Sequence, residues 1–202
     1  MRAGRVAVYL PPCALDIADR RYRTVYLLHG AGADETQWPA IGLATTADEL
    51  IAAKAIPPLI VVMPNTGLGA TAGSVVDDVV PWADATFPTS ATRADRAIGG
   101  ISAGGASAIR LAAVNPGLFS RLGGHSAVVD ASPSALDRLA GWDGAVWLDV
   151  GQSDDLRRSS EILAARLAAG TTRAELHVWP GQHDRAYWRS HVADYLRFYT
   201  GQ

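Results

Sequence analysis

Cysteine, lysine and long apolar runs are all scarce in this sequence of 202 residues. Its one cysteine, Cys13, has no partner for an intrachain disulfide and cannot by itself form a structural zinc site. No apolar run reaches the roughly 18 residues that a membrane-spanning helix needs, and the opening MRAGRVAVYLPP lacks the apolar segment of a signal peptide. We therefore expect a cytoplasmic protein with no metal, no cofactor and no membrane partner.

Excess charge of either sign is also missing. The 18 basic and 20 acidic residues give a net charge of −2, and Lys54 is the one lysine among the basic residues. So balanced a chain lacks the positive surface that nucleic acids attract, which excludes them as expected partners. Hydrophobic residues make up 49% of the chain, as in ordinary globular proteins. Length and composition together predict a single domain over residues 1–202 and leave its oligomeric state open.

Strand-like runs alternate with helix-like runs along nearly the whole chain. Several of the strand-like runs are continuously apolar, as strands buried on both faces are. This alternation is typical of α/β proteins, in which helices cover both faces of a mostly parallel sheet. The seven predicted strands span residues 5–10, 24–28, 59–63, 96–101, 121–125, 145–150 and 174–179.

The segment AIGGISAGGASA, residues 97–108, contains the pattern G-x-S-x-G between a predicted strand and a predicted helix. In that setting Ser102 stands at the apex of a sharp turn, where there is little room for side chains two residues away on either side. Gly100 and Gly104 have no side chain. The following helix directs its first N–H groups toward the place where an oxyanion forms. We therefore predict that Ser102 is a nucleophile.

A serine hydroxyl is a weak nucleophile at neutral pH, so Ser102 needs a histidine as its base. In this architecture the chain order is serine, then acid, then histidine. His183 meets that order, because it lies in the loop WPGQHD between the last predicted strand and the last predicted helix. The other four histidines precede Ser102, follow it too closely, or lie within a strand or helix. His183 is therefore the predicted base.

The acid is predicted from the segment AVWLDVGQSDDL, where two aspartates follow a strand. Asp154 stands in the loop in which the acid of such a site belongs, and Asp155 is the alternative. An aspartate at this position is also a common N-cap for the helix that follows. The two roles are compatible, and we predict Asp154 as the acid.

An acyl-transfer site also needs two N–H donors for the oxyanion, one following the nucleophile and one from a loop after an early strand. The first donor is predicted to be Ala103. The second comes from the glycine-rich loop HGAGA, where we predict Ala31, with Gly32 as the alternative. Gly30, Gly32 and Trp38 are predicted to contact the substrate.

These segments resemble the esterase D-like, or Putative esterase, family of α/β-hydrolases, which includes feruloyl and acetyl xylan esterases, S-formylglutathione hydrolases and mycolyltransferases. The resemblance rests on VYLLHGAGADETQW at 25–38, AIGGISAGGASA at 97–108, LDVGQSDDL at 148–156 and HVWPGQHDRAYWRSHVADYLRFY at 177–199. It implies the α/β-hydrolase fold, with catalytic roles on Ser102, Asp154 and His183 and oxyanion donors at Ala31 and Ala103. Many members have a bulkier residue where this chain has Ala103, which implies a wider pocket here.

Between the fifth and sixth predicted strands lie about twenty residues with one predicted helix. Many α/β-hydrolases insert a lid at this position, but a segment this short is too small to cover an active site. The sequence thus predicts a minimal, lidless fold with an open cleft. We expect a serine carboxylic-ester hydrolase that forms an acyl-enzyme from a small-molecule ester.

Three other functions fit parts of the sequence. An acyltransferase would use the same residues and pass the acyl group to an alcohol. A non-catalytic binding module would keep the fold with an inactive site. A Rossmann-like cofactor binder is the weakest, because the glycines between Gly67 and Gly73 have one residue too many for G-x-G-x-x-G.

Overall fold

The computed structural model describes residues 4–12, 14–16, 19–66 and 74–202, which form one seven-stranded sheet with helices on both faces. Cys13 and the glycine-rich segment 67–73 lie outside the described residues. The predicted strands are confirmed, each within one residue at either end. They are β1 (Val6–Tyr9), β2 (Arg23–Leu28), β3 (Leu59–Pro64), β4 (Arg96–Ile101), β5 (Arg121–His125), β6 (Ala145–Gly151) and β7 (Arg173–Trp179).

The sheet has the strand order β1-β3-β2-β4-β5-β6-β7, with β1 antiparallel to β3 and every other pair parallel. Parallel neighbours need crossover connections, which the helices supply. The helices are α1 (Gln37–Ala40), α2 (Leu43–Ala52), α3 (Val80–Thr86), α4 (Ala103–Val114), α5 (Pro133–Ala140), α6 (Arg157–Ala168) and α7 (Arg185–Thr200).

Alternate side chains of the central strands enter two separate apolar cores. On β2, Tyr26 and Leu28 pack into the core shared with α4, α5 and α6, whereas Val25 and Leu27 pack into the core shared with α2 and α7. Because neighbouring residues on a strand point to opposite faces, one buried strand supplies both cores. This double burial explains why the central strands are apolar throughout.

Two segments beside helices depart from regular α-helical backbone geometry. Residues Val75–Val79 form a π-helical turn that continues directly into α3, and Pro81 is the second residue of α3. Lys54 follows α2 with a positive φ of 56° and lies exposed on the way to the amino end of β3.

The segment between β5 and β6 contains one helix, α5, which packs against α4 and α6. Helix α5 therefore lies on one face of the sheet and is part of the helical layer. Among the described residues, no helix is long and apolar enough to span a membrane.

Candidate active site

Ser102 occupies the turn between β4 and α4 in a strained conformation, with φ 55° and ψ −117°. Its N–H donates to the carbonyl oxygen of His125 at 2.9 Å, which ties the turn to the end of β5. Non-glycine residues rarely adopt a positive φ, and such strain clusters at functional sites. The serine therefore has the local geometry of a nucleophile elbow, which comprises residues 100–104.

The glycines on either side of Ser102 are required by close backbone approaches. A Cβ on Gly100 would lie 2.4 Å from the carbonyl carbon of Gly104. A Cβ on Gly104 would lie 2.4 Å from the carbonyl oxygen of Leu28. These contacts confirm the steric reason for the G-x-S-x-G pattern, because α4 passes too close to β4 and β2 for any side chain.

His183 and Asp154 meet at the carboxyl ends of β6 and β7. The Nδ1 of His183 lies 2.9 Å from Oδ2 of Asp154, whose other oxygen accepts the N–H of Leu156 at 2.8 Å. The Asp154 side chain is fully buried and that of His183 is 35% exposed, whereas Asp155 is exposed. One carboxylate thus holds the imidazole and accepts an N–H in the turn before α6. The N-cap of α6 is Leu156, so Asp154 is not the N-cap of this helix.

The serine and the histidine are not hydrogen-bonded to each other in the described part of the chain. The His183 ring instead meets Trp188 edge to face, with ring centroids 5.2 Å apart. Hydrogen bonds between nucleophile and base are often long in unliganded sites and shorten when substrate binds. The arrangement therefore holds the imidazole through Asp154 and Trp188 while leaving its Nε2 edge available.

The loop after β2 passes beside Ser102 at Gly30. A Cβ built on Gly30 would lie 3.5 Å from the Cβ of Ser102, and the N–H of Gly30 donates to Oε1 of Gln37 at 2.7 Å. The N–H groups of Ala31 and Ala103 donate to no other described residue. Two unoccupied donors are what an oxyanion requires.

Gln37 holds the loop beside Ser102 and is not predicted from the sequence, because a glutamine at a helix start belongs to no motif. Its amide orientation follows from Gly30, since an N–H must meet the oxygen. The Nε2 is then turned toward the same region, 3.7 Å from a Cβ built on Gly30. Gln37 therefore fixes the position of Gly30, the loop residue that lies beside Ser102.

His29 holds the other side of this loop and is not a base. Its Nδ1 lies 2.8 Å from the carbonyl oxygen of Gly30, and its Nε2 accepts the N–H of Thr66 at 3.0 Å. Because Nε2 accepts, Nδ1 carries the proton and the ring is neutral. This buried imidazole is hydrogen-bonded at both ring nitrogens and stabilises the loop.

The prediction that Trp38 contacts the substrate is wrong, because its side chain is buried in the core. Its side chain is 1% exposed, its Nε1 donates to the carbonyl oxygen of Leu28 at 3.2 Å, and its ring packs edge to face on His125 and Tyr195. The large indole completes the core beneath the loop. Gly30, by contrast, is buried next to Ser102, and Gly32 is exposed with a φ of 75°.

No group of three or more His, Cys, Asp or Glu side chains suited to hold a metal ion occurs within residues 4–12, 14–16, 19–66 and 74–202. The chemistry available at this edge of the sheet is that of a hydroxyl, an imidazole, a carboxylate and backbone N–H groups. Those groups are sufficient for acyl transfer.

Comparison with known proteins gives a match along almost the whole chain. The sequence profile of the Esterase family, described as Putative esterase, matches residues 2–199. An endo-1,4-beta-xylanase/feruloyl esterase from Xylanibacter ruminicola is 35% identical over 120 residues, which cover 51% of this chain and 16% of that protein. The aligned region is thus a small part of that longer relative.

Solved structures share the fold at low sequence identity. A ferulic acid esterase superposes with a TM-score of 0.84 at 22% identity, covering 97% of this chain and 91% of that one. An S-formylglutathione hydrolase from Staphylococcus aureus gives a TM-score of 0.74 at 22% identity, covering 98% and 96%. The predicted α/β-hydrolase fold is confirmed, and with the profile match over residues 2–199 the chain belongs to the Esterase family.

Proposed function

We propose that this protein is a serine carboxylic-ester hydrolase that forms an acyl-enzyme on Ser102. The observation that carries the proposal is the buried Asp154 carboxylate, which holds His183 Nδ1 at 2.9 Å on the edge of the sheet where Ser102 stands in a strained turn. A carboxylate so placed fixes the imidazole tautomer in which Nε2 accepts a proton. The substrate is a small-molecule ester.

In the first half of the reaction, Ser102 Oγ attacks the ester carbonyl carbon and His183 Nε2 takes the hydroxyl proton. The negative charge that develops on the carbonyl oxygen is stabilised by the N–H groups of Ala31 and Ala103. The carbon–oxygen bond to the alcohol then breaks, and His183 returns its proton to the leaving oxygen. Asp154 stabilises the imidazolium that exists between these two transfers.

In the second half, water attacks the acyl-enzyme while His183 again takes a proton. Collapse of the second tetrahedral intermediate breaks the bond to Ser102 Oγ, which regains the proton from His183. The carboxylic acid leaves, and the free enzyme is restored. An alcohol in place of this water would make the protein an acyltransferase.

The test is covalent labelling combined with ester hydrolysis. A fluorophosphonate is expected to modify Ser102 alone, and Ser102→Ala and His183→Ala are each expected to lower kcat for p-nitrophenyl acetate by about 10³-fold or more. Ser153→Ala is a matched control on an exposed serine in the loop between β6 and α6 and is expected to behave as wild type. Unchanged turnover in Ser102→Ala would overturn the proposal.

Product analysis separates hydrolysis from transfer. With an ester substrate and an added alcohol acceptor, we expect the free acid to be the main product, because the His183 side chain is open to water. A dominant new ester would instead assign the acyltransferase activity.

A further inference from the structure

A fully buried aspartate and histidine that the proposed reaction does not use lie directly beneath the nucleophile elbow. His125 on β5 and Asp149 on β6 are register partners, and both side chains are 0% exposed. The Nδ1 of His125 lies 2.6 Å from Oδ2 of Asp149. An ionisable pair in an apolar interior costs stability unless it is fully hydrogen-bonded.

The Asp149 carboxylate receives four donors, two on each oxygen. Oδ2 accepts from His125 Nδ1 and from Trp147 Nε1 at 3.0 Å. Oδ1 accepts from the hydroxyls of Tyr187 at 3.1 Å and Tyr195 at 2.8 Å. The indole N–H and the two hydroxyls donate to this carboxyl group, so each of its buried oxygens has a hydrogen-bond partner.

His125 links the Asp149 carboxyl group to Tyr199. Its Nε2 lies 2.8 Å from the hydroxyl of Tyr199. Among the described residues, this hydroxyl has no other hydrogen-bond partner. In the tautomer whose Nδ1–H donates to Asp149, the hydroxyl of Tyr199 donates to Nε2. Burial, and then the charge of Asp149, raises the pKa of Tyr199 well above its usual value, which keeps this proton in place. We call these six residues the Asp149 network: Asp149, His125, Trp147, Tyr187, Tyr195 and Tyr199.

One arm of the Asp149 network reaches the nucleophile. The side chain of His125 is clamped between Asp149 and Tyr199, and its carbonyl oxygen accepts the N–H of Ser102 at 2.9 Å. The strained turn at Ser102 is thus bonded to the backbone of a residue whose two ring nitrogens both have hydrogen-bond partners.

A second arm reaches the histidine. The carbonyl oxygen of Asp149 accepts the N–H of Ser126 at 2.8 Å, and Ser126 Oγ accepts Trp188 Nε1 at 3.2 Å. Trp188 in turn packs edge to face against the His183 ring. Ser126 has a φ of 46°, so this arm also holds a strained residue.

We propose that Asp149 is a positioning residue that fixes Ser102 and His183 relative to each other through these two arms. The inference rests on the proposed function. Its physical basis is that a misplacement of about 1 Å between nucleophile and base can lower a rate about 100-fold. No direct contact with substrate is needed for this effect.

The first test replaces Asp149 with asparagine and compares it with Tyr195→Phe. Asp149→Asn replaces one acceptor oxygen with an NH2 donor, which faces either the two tyrosine hydroxyls or the Trp147 indole and the His125 imidazole. In both orientations the surrounding donors must rearrange. We expect kcat to fall about 10- to 100-fold with KM within about twofold. Tyr195→Phe removes one donor and leaves both arms intact, so it is expected to lower the melting temperature with kcat within about threefold.

The second test is a double-mutant cycle on Ser126→Ala and Trp188→Phe, which both break the same bond in the second arm. Each is expected to lower the rate of Ser102 modification by a fluorophosphonate about five- to tenfold, and the double variant no further. Ser126→Ala removes only a hydroxyl, so the test remains available if Asp149→Asn does not fold.

Two results would overturn the inference: a folded Asp149→Asn with the kcat of Tyr195→Phe, or additive losses across the Ser126 and Trp188 cycle. Failure of the proposed function is distinguishable, since it would appear as full turnover in Ser102→Ala. A loss of melting temperature without a loss of kcat in Asp149→Asn would assign the network a purely structural role.

Discussion

Asp154 and Asp155 are sequence neighbours in opposite environments: the Asp154 side chain is fully buried against His183, whereas Asp155 is exposed. The sequence offered both as the acid. The bond from His183 Nδ1 to Asp154 Oδ2 favours Asp154 and makes the choice testable.

Asparagine at each position separates the two candidates. Asp154→Asn presents an amide that no longer fixes the imidazole tautomer, and we expect kcat to fall about 10²- to 10⁴-fold. Asp155→Asn is expected to stay within about twofold of wild type. The measurement is steady-state hydrolysis of p-nitrophenyl acetate, and the opposite ranking would reassign the acid.

Gly104→Ala tests the close approach of α4 to β2. The added methyl would lie 2.4 Å from the carbonyl oxygen of Leu28 and 2.5 Å from that of His29. Both are backbone atoms, so neither can move away without moving the chain around it. We expect the free energy of unfolding to fall by about 2–3 kcal/mol, measured by denaturant titration. Gly117→Ala, where a Cβ meets nothing within 4 Å, is the control and is expected to be neutral or slightly stabilising. Equal effects at the two glycines would contradict the steric argument.

Two substitutions at Gln37 separate its acceptor from its donor. Gln37→Leu removes the partner of the Gly30 N–H, so we expect a loss of about 1 kcal/mol in stability and about tenfold in kcat. Gln37→Glu keeps an acceptor for Gly30 and adds negative charge near the oxyanion, so stability is retained while kcat falls about tenfold or more. A fully active Gln37→Glu would show that this amide does not face the reacting group.

Alkaline pH is expected to destabilise the protein through its tyrosines. Burial first, and nearby carboxylates second, raise the pKa of Tyr187, Tyr195 and Tyr199 above the usual 10.0. The folded state then holds these protons more tightly than the unfolded state, so the stability is complete below pH 10.0 and is lost as the pH rises above it. Each such tyrosine contributes a slope of about 1.4 kcal/mol per pH unit.

The measurement is the free energy of unfolding between about pH 9 and 11. This range extends about one pH unit below and above the pKa of a free tyrosine. With one lysine in the chain, few other groups change charge in this range. Tyr187→Phe should reduce the slope by about one proton equivalent. A slope that is the same in wild type and Tyr187→Phe would contradict the role of Tyr187.

The position of α5 predicts the response to aggregated substrate. Because α5 packs against α4 and α6, it does not form a cover that an interface would displace. Activity toward a short-chain ester is expected to rise smoothly through the concentration at which micelles form. A sharp increase at that concentration would contradict this prediction.

The strand pattern and the G-x-S-x-G turn could be predicted because each depends on short stretches of sequence. Buried parallel strands must be apolar on both faces, and the turn around Ser102 tolerates only glycine at two places. The loop positions of Asp154 and His183 followed from chain order. All of these features are local, or are fixed by the order of elements.

The Asp149 network and the role of Trp38 could not be predicted in the same way, because their partners are far apart in sequence. Asp149 within AVWLDVG is the one signal available, since a carboxylate in a buried strand needs donors. Nothing local identifies His125 or the tyrosines of α7 as those donors. Trp38 was misassigned because an aromatic residue beside a glycine-rich loop fits a pocket wall as well as a core.

Lys54 provides the one side-chain amine of the protein, and it lies between α2 and the amino end of β3. Ser102, Asp154 and His183 follow the carboxyl ends of β4, β6 and β7, at the opposite edge of the sheet. Coupling to a solid support through the Lys54 side chain would therefore attach the protein by the opposite edge of the sheet and leave these three residues facing the solution. Immobilisation through this lysine should orient every molecule alike.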